Sequence, residues 1–116
     1  MRVAIIRYPA GNVRSVALAL LRAGVQSELT DDPDRIRMAD KVILPGVGEA
    51  SNAMAHLRAR GLDQLVLELD RPVLGICLGL QLLCAHSEEG DTAGLGVFGT
   101  TVHRFMGPMK VPQVGW

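Results

Sequence analysis

Apolar residues follow two alternating rhythms along the chain: short β-branched runs, and longer stretches at helical spacing. VAIIR (3–7) is the first run, and its Val and Ile content predicts a buried strand. The YPAGN turn follows, and Asn12 stands where a helix N-cap is expected. Val13, Val16, Ala17, Leu20 and Leu21 then share a helical face, with Gly24 as the stop. VQSEL (25–29) predicts a second, weaker strand, and TDDPD a turn that opens a short helix. KVILPGVG (41–48) reads as a third strand running into a glycine turn. Ala50, Ala53, Met54 and Leu57 carry a helix as far as Gly61, and Leu62–Leu69 predicts another. PVLGI (72–76) predicts a fourth strand, and LGLQLLCAH (78–86) a helix after it.

Such alternation predicts an α/β fold, a parallel sheet with flanking helices. After SEEGD the rhythm changes. GLGVFGTTVHRF (94–105) and KVPQVGW (110–116) have the glycine spacing and β-branched content of short strands, expected to pair as a hairpin. No repeat or linker divides the 116 residues, so 1–116 reads as a single domain.

Composition removes several classes of function. Acidic and basic residues balance at twelve each, and the arginines are scattered, which argues against nucleic-acid and membrane-surface binding. No apolar stretch approaches the roughly 20 residues of a membrane span, and with a strand predicted from Val3 no leader is expected. A cytoplasmic location is expected, with Cys77 and Cys84 both reduced.

The chemistry gathers in GICLGLQLL (75–83). A nucleophile at a strand–turn–helix junction is exposed by the sharp turn, and small neighbours prevent clashes. The next backbone N–H faces a developing oxyanion, and a helix starting there favours thiolate over thiol. Gly75, Cys77 and Gly79 fit that device with sulfur as the nucleophile; a buried cysteine at a strand end is the plainer alternative. PGVG (45–48) ends the neighbouring strand, where glycines let a backbone N–H approach or turn toward a substrate. A plain strand-to-helix turn explains PGVG equally when it is taken alone. Both motifs sit at carboxyl ends of parallel strands, where open α/β sheets bind ligands.

Together GICLGLQLL and ILPGVG resemble the class I, triad-type glutamine amidotransferases, a flavodoxin-like α/β family. AGNVRSV, SEEG, GLGVFGTTVHRF and KVPQVGW narrow the resemblance to the glutaminase subunits of imidazole glycerol phosphate synthase, in histidine biosynthesis. It covers residues 1–116. The resemblance implies that Cys77 attacks the side-chain amide of glutamine to form a thioester and release ammonia. The oxyanion hole would comprise the Leu78 N–H and the Val47–Gly48 turn, with Val47 N–H brought in by a peptide flip. Gly46, Gln81 and Glu89 would hold the substrate glutamine. Asn12, Val114 and Trp116 would face a (β/α)8-barrel cyclase partner that receives the ammonia. No cofactor and no metal are implied.

The family's histidine base and its glutamate lie well beyond the cysteine, in a C-terminal part this chain lacks. His56, His86 and His103 do not match that position. The 116-residue form is therefore expected to be nearly inactive and to expose apolar surface. Cys84 and His86 fall short of a zinc ligand set, and Cys84 is expected on the core face of its helix. A Cys77–Cys84 disulfide is not expected, since positions seven apart on a helix lie about 10 Å apart. Departures from the family pattern occur at Pro9, Glu49–Ala50 and Gln113. Two other readings stay open: a non-catalytic truncated α/β module that binds a partner, or a glutaminase serving pyridoxal phosphate or anthranilate synthesis.

Overall fold

A computed structural model describes residues 1–9 and 13–106 of the chain. Four short strands form the main sheet: β1 (Val3–Ile6), β2 (Ser27–Thr30), β3 (Lys41–Leu44) and β4 (Val73–Gly75). All pairings are parallel, in the order β2-β1-β3-β4. The chain thus turns to one side of β1 and then to the other, a doubly wound order with its switch point between β1 and β3.

Alternation along each strand feeds two cores. Ala4, Ile6, Val42 and Leu44 face one side and pack with α2 (Pro33–Met38), α3 (Ala50–Ala59), α4 (Leu62–Glu68) and α5 (Leu78–Leu83). Val3, Ile5 and Ile43 face the other, under Val13, Val16, Ala17 and Leu20 of α1 (Val13–Arg22). Buried on both faces, β1 reads as an unbroken apolar run. The second face is the thinner, because α1 has no fully buried residue. Leu74 of β4, opposite Ile43, is 57% exposed there.

Local chemistry accounts for the element boundaries. Asp32 caps α2 by accepting from the Asp34 N–H, with Pro33 at the first helical position. Gly24 and Gly61, at φ of 77° and 68°, take the left-handed turns that end one helix and start another.

One helix boundary differs from expectation. LGLQLLCAH does not remain helical to residue 86: α5 stops at Leu83, and Cys84 opens β5 (Cys84–Ser87). The cause is tertiary. Leu95 N–H donates to the Leu82 carbonyl at 2.7 Å, and Gly96 N–H to the Cys84 carbonyl at 3.1 Å. The GLG segment thereby satisfies the helix end, and a Cβ at Gly94 would lie 2.1 Å from the Cys84 oxygen. Cys84 is thus buried in a strand, not on a helix face. SEEGD turns β5 back antiparallel onto β6 (Thr92–Ala93), while β7 (Phe98–Val102) lies parallel on its other side. The hairpin expected between 94–105 and 110–116 has its second arm outside the described residues.

Candidate active site

The carboxyl ends of β1, β3 and β4 meet at one edge of the main sheet, and each ends in a motif-bearing loop. Tyr8 follows β1, Pro45–Gly48 follows β3, and Ile76–Cys77 follows β4. Parallel pairing of Leu44 with Gly75 sets the last two side by side.

Cys77 has φ 53° and ψ −114°, a conformation that glycine takes freely and other residues only under strain. The turn exposes its side chain, whereas Leu78 and Gly79 immediately after it are buried. Both flanking glycines are sterically required. A Cβ at Gly75 would sit 2.8 Å from the Leu80 backbone, and one at Gly79 would sit 1.8 Å from the Leu44 oxygen. α5 therefore starts directly on top of the end of β3.

Opposite Cys77, Gly46 and Gly48 have φ of 151° and 145°, so PGVG takes a path closed to most side chains. Leu78 N–H donates to the Gly46 carbonyl at 3.1 Å. The donor expected to stabilise an oxyanion is thus occupied by the chain's own carbonyl. Rotating the Gly46–Val47 peptide would withdraw that acceptor and present the Val47 N–H in its place. Val47 is 61% exposed, which leaves room for the rotation.

Two carboxylates bind the start of α3, just past PGVG. Glu49 caps α3, accepting from the Ser51 and Asn52 N–H groups at 3.0 and 2.9 Å. The Ser51 hydroxyl, and after it these backbone bonds, hold its carboxyl below the ordinary range. This explains Glu49 as a capping residue. Glu89 reaches from the β5–β6 turn and accepts from Ala50 N–H at 2.7 Å, tying SEEG to the end of the PGVG turn. Gln81 lies one turn along α5 from Cys77 and is half-buried. Asn12, Val114 and Trp116 lie outside the described residues.

Sequence reasoning passed over Tyr8, which was read only as part of a turn. It is 6% exposed, and its hydroxyl donates to the Pro45 carbonyl. Burial, and next the charge of a nearby Cys77 thiolate, push its phenol above the ordinary range. The native state therefore holds its proton more firmly than the unfolded chain, so stability is fully present below about pH 10 and declines above it. A spectrophotometric titration of this single tyrosine should begin well above the midpoint seen in denaturant. Coincident curves would contradict the buried donor.

Comparison with known proteins identifies the family of the chain. Residues 2–108 match the family described as CobB/CobQ-like glutamine amidotransferase domain. The chain belongs to the glutamine amidotransferases. A Bacteroides fragilis (strain YCH46) protein named imidazole glycerol phosphate synthase subunit HisH is 53% identical across 100% of this chain and 61% of its own length. A HisH of Dehalococcoides mccartyi (strain CBDB1) is 45% identical, over 98% of this chain and 58% of its own. The chain thus spans about three-fifths of these relatives. A crystal structure titled glutamine amidotransferase superposes with a TM-score of 0.72, covering 85% of this chain and 54% of that one. At 22% identity it speaks for the fold alone. No helix among the described residues is long and apolar enough to cross a membrane.

An amidotransferase that works through a thiol needs a base beside it. Among the described residues no hydrogen bond joins a histidine to Cys77. His86, on β5, pairs with Asp91 at 2.8 Å, and His103, just past β7, pairs with Glu88. His56 lies near the end of α3. Cys84 Sγ is 3.6 Å from the Leu80 carbonyl, and both cysteines are free.

The strain at Cys77 is measurable. Cys77→Gly should raise stability by about 1 kcal/mol, because relief of the turn exceeds glycine's extra unfolded entropy. Denaturant midpoints would show it, and a drop in midpoint would mean that the turn is unstrained.

Proposed function

We propose that this amidotransferase chain carries the nucleophile half of a HisH-type glutaminase site. Cys77 sulfur adds to the side-chain carbonyl of glutamine, and the oxyanion formed is held by the N–H groups of Leu78 and Val47. As the intermediate collapses, the C–N bond breaks, and the amide nitrogen takes up the proton given up by the thiol and leaves as ammonia. The Cys77 thioester that remains is hydrolysed by water to glutamate and the free thiol. Gly46, Gln81 and Glu89 hold the substrate in this reading. The Gly48 turn supports the oxyanion hole.

The observation that carries the proposal is the Leu78 N–H facing Gly46 across the strained Cys77 turn. A plain structural turn requires neither the strain nor a carbonyl poised on that donor. The 53% identity to a HisH supports the substrate and points to a synthase partner. Asn12, Val114 and Trp116 face that cyclase barrel in this proposal, and ammonia passes to it. Without a histidine on the Cys77 thiol, the chain alone releases ammonia only slowly.

The test compares ammonia release from glutamine by this chain, with and without a cyclase subunit, and by a chimera. The chimera continues residue 116 with the remainder of the Bacteroides fragilis relative. Activity in the chimera only is the expected result. Rapid release by the chain alone would mean that His56, His86 or His103 serves as base.

A further inference from the structure

Tyr8 is a buried ionisable side chain that the proposed chemistry leaves unused. Its position concerns three consecutive carbonyls at the end of β3. Leu44 oxygen accepts from Ile76 N–H at 3.0 Å, and Gly46 oxygen from Leu78 N–H at 3.1 Å. Between them, Pro45 oxygen accepts from the Tyr8 hydroxyl. Two of the three are held by the Cys77 turn itself. The middle one is held by a side chain from β1, across the switch point of the sheet.

This arrangement matters for any rotation of the Gly46–Val47 peptide. That rotation turns about Gly46 ψ and Val47 φ, and its direction depends on how the preceding peptide plane is fixed. The proline ring restricts φ at Pro45, a residue that is fully buried. The hydroxyl fixes the carbonyl of the Pro45–Gly46 plane and so restrains Pro45 ψ, the rotation the ring leaves free. With both restraints only the Gly46–Val47 unit turns; without the hydroxyl the Pro45–Gly46 plane tilts too, and the Val47 N–H loses its aim.

We propose that Tyr8 is a positioning residue of the glutaminase site, whose hydroxyl anchors the Pro45 carbonyl so that rotation of the Gly46–Val47 peptide delivers the Val47 N–H onto the oxyanion at Cys77. This rests on the glutaminase reading above. A tyrosine that merely fills the core would contribute stability and nothing specific to an oxyanion.

Two alkylating reagents separate these roles on the 116-residue chain. A chloromethyl ketone analogue of glutamine is attacked by Cys77 at its carbonyl and passes through a hemithioketal oxyanion. The sulfur then shifts to the chloromethyl carbon: the new S–C bond forms, chloride leaves, and the hemithioketal S–C bond breaks as the carbonyl re-forms. Iodoacetamide forms an S–C bond by direct displacement of iodide, with no oxyanion. Cys84 is buried, and peptide mass mapping assigns the label to Cys77.

Tyr8→Phe keeps the ring in the core, and circular dichroism checks its folded fraction. It should lower the saturating chloroketone rate about tenfold, a loss typical of misaligned groups. The half-saturating concentration and the iodoacetamide rate should stay within about twofold. Because the chain has one tyrosine, biosynthetic 3-fluorotyrosine enters only at this position and keeps the hydroxyl. It should retain the parent rate. An unchanged chloroketone rate in Tyr8→Phe, or equal loss with both reagents, overturns the positioning role. A parent chain that takes the chloroketone no faster than iodoacetamide is a separate result, and it overturns the glutaminase reading as well.

Discussion

Replacing Gly79 with alanine should cost the chain at least about 3 kcal/mol, a large part of a small domain's stability. The added Cβ would lie 1.8 Å from the Leu44 oxygen, 2.7 Å from the Leu44 carbon and 3.1 Å from the Pro45 oxygen. All three are backbone atoms of β3 or the residue after it, so no rotamer change relieves the clash. α5 would have to lift, opening the bond from Ile76 N–H to Leu44 and exposing Leu78 and Leu82, each 2% exposed. Gly99→Ala is the control, since a Cβ there meets nothing within 4 Å. Denaturant midpoints of the two variants should differ widely. A Gly79→Ala chain as stable as Gly99→Ala would show that α5 does not rest on the end of β3.

The second large effect is chemical. In the chimera, Cys77→Ala should reduce ammonia release by at least about a thousandfold, as removal of a covalent nucleophile commonly does. Stability should hold or rise, because alanine inherits the strained backbone but gains no clash at an exposed position. The two readouts together matter: activity lost with the fold intact assigns the sulfur a chemical role. Residual activity within tenfold of the parent would place the nucleophile elsewhere.

How much of this was legible beforehand depended on whether the deciding interactions were local. β1 and β3 were readable because Val3–Ile6 and Val42–Leu44 are buried on both faces, so VAII and VIL are unbroken apolar runs. The junction at Leu83–Cys84 was not, because QLLCAH has no glycine or proline and the helix is ended by GLG from eleven residues further on. Cys77 and PGVG were recognisable as motifs, since a strained turn and paired glycines leave a mark in the sequence. Their closure through Leu78 N–H and Gly46 is a matter of pairing register. Tyr8 left no mark, because a lone tyrosine after a strand looks the same whether or not its hydroxyl finds a carbonyl. Glu89 was placed at the site by resemblance, whereas its bond to Ala50 depends on how SEEG folds over α3.

Under the proposed reading, the bond between Leu78 and Gly46 limits how far a partner that acts only through this turn could activate the site. If the turned state is one molecule in a hundred, hydrolysis proceeds about a hundredfold below its intrinsic rate. A partner that binds only the turned state recovers that factor and no more. Each tenfold of activation then measures about 1.4 kcal/mol of preference for the closed carbonyl over the open one. The stimulation factor would serve as a thermometer of this one peptide bond's bias, readable without a structure of the complex.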